Sequence, residues 1–189
     1  MKSKTTRYAL IIGAVLAIGT ALFIIGCKYS SSGSSSTPPT AQEPPGLPPD
    51  PGPAGKATLA GVDSNDNGVR DDVERYIAIN HQDSAKVRAA LMQFAVVAQS
   101  RLLDATDTQK SIQHAIESGK AIECMVYVTG SVQKEEDLYN ELRPVILNTD
   151  ARNKAYFAYD KQLGGQYFPG TPDSQAASAC TFDPSTLPN

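Results

Sequence analysis

The sequence predicts an all-α fold, a small bundle of about four to five helices. From residue 57 to residue 182, apolar residues recur three and four positions apart, which is the spacing of one helix face. Short breaks with capping residues separate these segments, and none of them alternates strictly between apolar and polar residues. The 189 residues are enough for one ordinary domain.

The first two predicted helices differ in how much of their surface is apolar. The first has a single stripe of Val69, Val73, Tyr76 and Ile77. The second begins after Asp83 or Ser84, either of which can cap it. Its apolar positions are Val87, Ala90, Leu91, Phe94, Ala95, Val97, Ala98, Leu102 and Leu103. A stripe this wide predicts a central helix that is packed on more than one side.

Three further helices are predicted from the same spacing and from cap residues. The third begins at Thr106 or Asp107 and continues, with or without a break at Gly119, through Ile112, Ala115, Ile116, Ile122, Met125 and Val126. The fourth begins at Ser131, has Val132, Leu138, Leu142 and Val145 facing inward, and should kink or end at Pro144. The fifth follows Asn148 or Thr149 and stops at Gly164 and Gly165, with Ala155, Tyr156, Tyr159 and Leu163 on its inner side. The remaining C-terminal residues form an irregular tail.

The N-terminus has the order of a secretory signal, because Lys2, Lys4 and Arg7 precede an uncharged apolar run over residues 8–26. The end of this run, Ile24-Ile25-Gly26-Cys27, resembles the lipobox of bacterial lipoprotein precursors. The resemblance implies that residues 1–26 are a cleaved signal peptide and that Cys27 carries the acyl groups that anchor the protein in a lipid bilayer. The alternative is an uncleaved signal anchor with an incidental cysteine.

Lys28 indicates which membrane the mature protein would occupy. In the lipoproteins that the chain resembles, Asp after the cysteine retains the protein in the inner membrane, whereas this chain has Lys28. We therefore expect the outer membrane, with the domain facing the periplasm or the cell surface. Removing residues 1–26 leaves 14 basic and 20 acidic residues, a net charge of −6. Without a basic field, nucleic-acid binding is not expected.

A tether is predicted between the anchor and the domain. Residues 27–56 contain eight of the 13 prolines, six serines and four glycines, with little that could be buried. This composition predicts a disordered segment that provides reach, followed by the helical domain over residues 57–189. A proline-rich ligand for an aromatic groove is the alternative, although the proline pairs are irregularly spaced.

One loop carries the pattern of a metal site. Oxygen donors occupy alternate residues in Asp63, Asn65 and Asn67; Gly68 permits a sharp turn; and the Val69 carbonyl, Asp71 and Glu74 complete the spacing. The segment resembles a calcium loop of the EF-hand and dockerin type. The resemblance implies calcium as the cofactor, with Asp71 acting directly or through water and Glu74 closing the site with both oxygens. An Asx-rich turn that caps a helix without metal is the alternative.

The loop also departs from a paired EF-hand. Pro51, Pro53, Gly55 and Gly61 leave no room for a helix before it, and Arg70 stands where EF-hands usually have an aliphatic residue. We therefore expect a lone loop followed by one helix, and a structural ion instead of a sensor. With three carboxylates and two amides, the expected dissociation constant is ~0.1 to 1 mM, as in extracellular calcium modules.

The two cysteines after Cys27 are expected to form a disulfide. An exported domain meets an oxidising compartment, and a Cys124–Cys180 bond would join the tail to the third helix. The alternative is a nucleophilic Cys124, but the histidines, His81 and His114, have no recognisable catalytic context.

The sequence contains no phosphate-binding loop, metalloprotease motif or nucleophile elbow, so a non-enzymatic binding or envelope-support role is expected. Two alternatives remain: an inhibitor or immunity-like protein that uses an acidic face, and a carboxylate-based hydrolase. A protein or glycan partner could bind the aromatic residues near Gly164, although core packing is the simpler explanation for them. They are Tyr156, Phe157, Tyr159, Tyr167 and Phe168.

Overall fold

The computed structural model describes residues 43–189, and in this part of the chain it is helical without any strand. Five α-helices follow one another: α1 Asp71–Asn80, α2 Ala85–Leu103, α3 Thr108–Thr129, α4 Val132–Ile146 and α5 Asp150–Gln162. Short 3₁₀ helices cover Gly52–Lys56, Asp173–Ala179 and Pro184–Thr186. The predicted all-α class is confirmed. The expected signal segment, Cys27 and the serine-rich half of the tether lie outside the described residues.

Four of the helices begin at a side-chain cap. Ser84, Asp107, Ser131 and Thr149 each accept a hydrogen bond from the backbone N–H three residues later, at 3.0 to 3.3 Å. Each cap satisfies one of the N–H groups that a helix leaves free at its start. These caps explain where the chain turns back on itself between neighbouring helices.

Helix α2 is central, as its wide apolar stripe predicts, because it contacts each of the other four helices. Leu91, Phe94 and Ala98 on α2 are fully buried and pack in one core with residues of α1, α3 and α4. A second, smaller cluster joins Ala105, Ala115 and Tyr159. α2 thus provides the surface on which the bundle assembles.

The sequence left open whether α3 breaks at Gly119 and whether α4 kinks or ends at Pro144. α3 runs through Gly119 without interruption and ends at Gly130, whose φ of +66° is the left-handed conformation that glycine adopts readily. α4 includes Pro144 and ends two residues later at Ile146. Proline lacks an N–H group, so the helix can continue only briefly beyond it.

Three residues assigned to apolar stripes are exposed instead. Leu103, Ile116 and Val132 are 51%, 41% and 66% exposed. Leu103 is the last residue of α2 and Val132 is the first of α4, so both lie at helix ends. The aromatic residues near Gly164 also divide: Tyr159 and Phe168 belong to the smaller cluster, whereas Phe157 and Tyr167 are exposed.

The C-terminal tail is attached to the helices by one covalent bond and by hydrogen bonds, two of which involve Gln93. The expected Cys124–Cys180 disulfide is present, with the two Cα atoms 4.8 Å apart. Gln93 on α2 donates to the Ala179 carbonyl at 2.8 Å and accepts from the Thr181 N–H at 2.9 Å. The tail is less irregular than expected, because two of the 3₁₀ helices lie in it.

Residues 43–56, which the composition assigned to the disordered tether, lie against the helices. Pro48 is buried, and its carbonyl accepts a hydrogen bond from Arg75 Nη1 at 2.8 Å. Gly55 is also buried, and its carbonyl accepts from Arg152 at 2.7 Å. Arginines on α1 and α5 supply the donors that a proline-rich backbone cannot find within itself. Within residues 43–189, no helix is long and apolar enough to span a bilayer.

Candidate metal site

The loop before α1 is closed by a backbone hydrogen bond. The Asp71 N–H donates to the Val62 carbonyl at 2.8 Å, which joins the two ends of the loop. Between them, Asp66 and Gly68 have φ angles of +55° and +83°. Aspartate and glycine tolerate this left-handed region, so the chain can reverse direction within a few residues.

Asp63 lies at the centre of the loop. Its Oδ1 accepts from the Asn67 N–H at 3.2 Å, and its Oδ2 accepts from the Gly68 N–H at 2.8 Å. The backbone therefore wraps around this carboxylate. The sharp turn at Gly68 is what brings both N–H groups to the same side chain.

The side-chain amides of Asn65 and Asn67 both contact the Glu74 carboxylate. Asn65 Nδ2 and Asn67 Nδ2 lie 3.2 and 2.8 Å from Glu74 Oε2. Asn67 Oδ1 also accepts from the Val69 N–H at 2.9 Å. Four of the six proposed ligands, Asp63, Asn65, Asn67 and Glu74, thus belong to one hydrogen-bonded group.

Asp71 and Val69 occupy different surroundings. Asp71 is 1% exposed, and its Oδ1 accepts from the Ser64 N–H at 2.9 Å and from the Ser64 hydroxyl at 3.2 Å. The side chain of Val69 is buried in the main core. The structure therefore brings Asp71 to the loop through Ser64, and it anchors the loop to the bundle through Val69.

A hard cation in this loop would require oxygen ligands. As they are oriented, Asn65 and Asn67 present amide nitrogens to Glu74 Oε2, at hydrogen-bond distances of 3.2 and 2.8 Å. Asn65 and Asn67 would have to turn their amide oxygens toward the ion, and this would break the hydrogen bonds that the two oxygens accept from the backbone N–H groups of Asn67 and Val69. Within residues 43–189, no three side chains of His, Cys, Asp or Glu come together as a metal-binding group. The loop would therefore depend on amide and carbonyl oxygens as well as carboxylates.

A buried arginine pair connects the loop to the bundle, and the sequence reasoning missed it. Arg70 donates to both oxygens of Asp72, at 2.9 and 3.1 Å, and to the carbonyls of Val145 and Ile146 at the end of α4, at 2.9 and 3.1 Å. Arg70 is therefore both the residue before α1 and the cap of α4. The one available signal was a charged residue in a position that EF-hand loops usually fill with an aliphatic residue.

Arg152 on α5 is the second member of this pair and is fully buried. Its guanidinium donates to the carbonyls of Gly55, Thr58 and Leu59, at 2.7 to 3.2 Å, and to Asn148 Oδ1. Asn148 Nδ2 in turn donates to Asp72 Oδ2 at 2.8 Å. Asp72 is thus linked to both arginines, directly to Arg70 and through Asn148 to Arg152.

The charges in this network shift two pKa values. Burial by itself would raise the pKa of Asp72, but the hydrogen bonds and charges of Arg70, together with Asn148 and Arg152, lower it below its ordinary value. Burial, followed by repulsion from Arg70, lowers the pKa of Arg152, and Asp72 opposes that shift. The half-buried Asp72 carboxylate is therefore held in its ionised form by its cationic neighbours.

Gly61 permits the two arginines to approach the loop. It has a φ of +71°, and a Cβ at this position would lie 2.5 Å from Arg70 Cδ, 2.8 Å from Arg152 Nη2 and 2.9 Å from the Gly55 carbonyl. No larger residue fits without moving one of these groups.

The other titratable side chains considered as possible functional residues lie outside this loop. His114 lies between two carboxylates, Asp104 at 3.0 Å and Glu117 at 3.3 Å. Hydrogen bonds from Lys110 and His114 lower the pKa of Asp104. Burial lowers the pKa of His81, and burial followed by repulsion from Glu136 raises that of Glu135. Cys124 is fully buried and forms the disulfide.

Comparisons with known proteins find no family model, no curated protein and no solved structure that matches this chain.

Proposed function

We propose that this chain is a bacterial lipoprotein, anchored in a membrane through Cys27, whose helical domain binds calcium as a structural ion. The domain acts as a non-enzymatic binding or envelope-support module facing the periplasm or the cell surface, and the outer membrane is its expected location. The observation that carries the proposal is the convergence of Asn65, Asn67 and Glu74 in a loop wrapped around Asp63.

The support for a structural ion comes from how firmly the residues after the loop are held. Arg70 binds the end of α4, Asp71 is buried, and Val69 lies in the core. A sensor of the calmodulin kind needs helices that can reorient when the ion binds. Here the first turn of α1 is tied to α4 by a buried guanidinium, so calcium would stabilise the loop without reorienting a helix.

A charge-matched pair of variants tests the calcium site. Asp63→Asn removes a proposed ligand charge, whereas Asp66→Asn removes the same charge from a loop residue that occupies no ligand position. Asparagine also tolerates the positive φ of residue 66. Isothermal calorimetry on the full chain in detergent should show calcium binding in the wild type and in Asp66→Asn, but not in Asp63→Asn. Equal loss in both variants would indicate an unspecific effect of charge.

The anchor requires its own test, because it depends on the resemblance to lipoprotein precursors. In a two-membrane bacterium grown with labelled palmitate, the wild-type chain should carry the label and appear in the membrane fraction. Cys27→Ser should lose the label, and Lys28→Asp should move the protein toward the inner membrane. A Cys27→Ser chain that remains in the membrane fraction would indicate an uncleaved signal anchor instead.

A further inference from the structure

A small cavity lies between α2, α4 and α5. Its walls include Phe94 and Arg101 from α2, Tyr139 and Arg143 from α4, and Tyr156 from α5. The other lining residues are aliphatic, and no carboxylate is among them. The cavity leaves about 10 Å³ for the centre of a water-sized sphere, close to the smallest space that holds one water molecule. Its ligand is therefore no larger than a molecule or ion of about that size.

Arg101 brings a positive charge to this cavity. Its Cζ lies 5.2 Å from the ring centroid of Phe94 and 5.4 Å from that of Tyr159, so the guanidinium rests on two aromatic faces. Its Nε is buried and has no hydrogen-bond partner within residues 43–189. Arginine does not lose its proton in proteins, so this donor stays charged. A buried charged donor is costly without an acceptor, which indicates that an acceptor binds here.

Arg143 adds a second charge to the same cavity. Its Cζ lies 5.5 Å from the ring centroid of Tyr156, and its side chain is exposed. Burial raises the pKa of the Tyr139 hydroxyl, and the charges of Arg101 and Arg143 both oppose that rise, so both guanidiniums lie near this hydroxyl. In the part of the chain that the structure describes, neither arginine forms an ion pair with an aspartate or a glutamate.

The charge of the cavity favours an anion over water. A water molecule would accept from Arg101 Nε, but it would not balance the charge of either guanidinium. An anion does both, and charge-assisted hydrogen bonds are the stronger kind. Because the space holds a single small particle, polyatomic anions such as phosphate are too large, and chloride is the common anion that consists of one atom.

We propose that this cavity binds a chloride ion, with Arg101 Nε and the Tyr139 hydroxyl as donors and with Arg143 adding its charge from the exposed side. The ion joins α2, α4 and α5 at the point where the two arginines meet. This site is separate from the proposed calcium loop, because the two share no residue.

Chlorine nuclear magnetic resonance measures the binding directly, since the line of free chloride broadens when the ion exchanges with a protein-bound state. The sample is the full chain in a chloride-free, non-ionic detergent, with EDTA present so that calcium does not contribute. The wild type should broaden the line, and the broadening should saturate as chloride is raised. Bromide should compete, because it is also a monatomic anion.

A matched pair of variants on α2 locates the site. Arg101→Gln removes the charge and the Nε donor, and it should raise the dissociation constant for chloride about tenfold or more. Arg88→Gln makes the same change at an arginine that donates to the carbonyls of His81 and Gln82 and does not line the cavity. It should bind chloride like the wild type.

Two milder variants keep the test decisive if Arg101→Gln does not fold, which far-ultraviolet circular dichroism checks. Tyr139→Phe removes one neutral donor and should weaken binding about fivefold. Arg143→Gln removes an exposed charge and should weaken binding about threefold.

Either of two results would overturn the chloride site. If the wild type gives no saturable broadening, the acceptor at Arg101 is water. If the broadening is the same in the wild type and in every folded variant among Arg101→Gln, Tyr139→Phe and Arg143→Gln, chloride binds elsewhere on the chain. Neither result bears on the calcium loop, whose test is separate.

Discussion

Arg70 and Asp72 form a bidentate ion pair beside the start of α1, with Nε to Oδ1 at 2.9 Å and Nη2 to Oδ2 at 3.1 Å. Arg70 is buried, and the rest of its guanidinium caps the end of α4. A residue two positions before Asp72 thus connects the loop to a helix more than seventy residues later. This contact makes the loop part of the fold instead of an appendage to it.

Arg70→Ile should destabilise the domain, although an aliphatic residue is usual at this position in the loops that the segment resembles. The substitution leaves Asp72 with Asn148 as its side-chain donor and leaves the carbonyls of Val145 and Ile146 without the arginine. Because Asp72 is 21% exposed, the cost should lie near or below the lower end of the ~3 to 5 kcal/mol for breaking a fully buried ion pair. Urea unfolding measures the loss, and Arg143→Ile at an exposed position of α4 is the control, with an expected effect within about 1 kcal/mol. An Arg70→Ile variant as stable as the wild type would contradict the role given to this arginine.

Gly61→Ala and Gly130→Ala separate steric crowding from backbone strain. Both glycines have positive φ, +71° and +66°, but a Cβ at residue 61 meets Arg70, Arg152 and Gly55, whereas a Cβ at residue 130 meets nothing within 4 Å. Gly130→Ala should cost about 1 kcal/mol from backbone strain alone. Gly61→Ala should cost about 2 kcal/mol more, because the arginine pair must move. Equal losses in urea unfolding would show that the arginines do not approach Gly61 closely.

The ionisation of Asp72 predicts how stability depends on pH. Burial would raise its pKa, but Arg70, Asn148 and Arg152 together lower the pKa below the ordinary value of 3.8. A carboxylate with a lowered pKa stabilises the folded state fully above the unfolded-state pKa, and this contribution is lost as pH falls through the folded-state pKa. The difference in unfolding free energy between the wild type and Asp72→Asn should be constant near neutral pH and shrink below about pH 4. A difference that grows on acidification would mean that the sign of the shift is wrong.

Reduction of the Cys124–Cys180 disulfide should lower stability without abolishing the helices. The bond connects the tail to α3 across a sequence separation of 56 residues. In the loop-entropy model, opening such a cross-link costs ~4 kcal/mol. The free energy of unfolding in urea, measured with and without reductant, tests this value. Equal midpoints would show that Gln93 and the packing of the tail are sufficient to hold it.

Most of the fold could be predicted because its signals are local. A cap residue and its N–H partner are three positions apart in the sequence. Apolar residues on one helix face are three or four positions apart. Each signal therefore lies within about one helical turn. The wide stripe of α2 even indicated that this helix is central. The exposure of Val132 could not be predicted in the same way, because it depends on where the end of α4 lies relative to the other helices.

The candidate site was predictable only in part. The spacing of donors from Asp63 to Glu74 is visible in the sequence, since the loop is short and continuous. The pairing of Arg152 with the carbonyls of Gly55 and Thr58 joins residues more than ninety positions apart, and no local pattern indicates it. For the same reason, composition assigned the proline-rich residues 43–56 to a tether, although arginines on α1 and α5 hold them against the bundle.

Calcium-dependent stability tests the central claim most directly. The full chain, with its disulfide intact and solubilised in detergent, would be unfolded thermally in EDTA and across a calcium series, with magnesium as control. We predict a saturable stabilisation of about 2.7 kcal/mol at a hundredfold excess over the dissociation constant. It should be absent in Asp63→Ala. The absence of any stabilisation at about 10 mM calcium, above the weakest range of known calcium modules, would show that the loop is a helix-capping turn and would contradict the account.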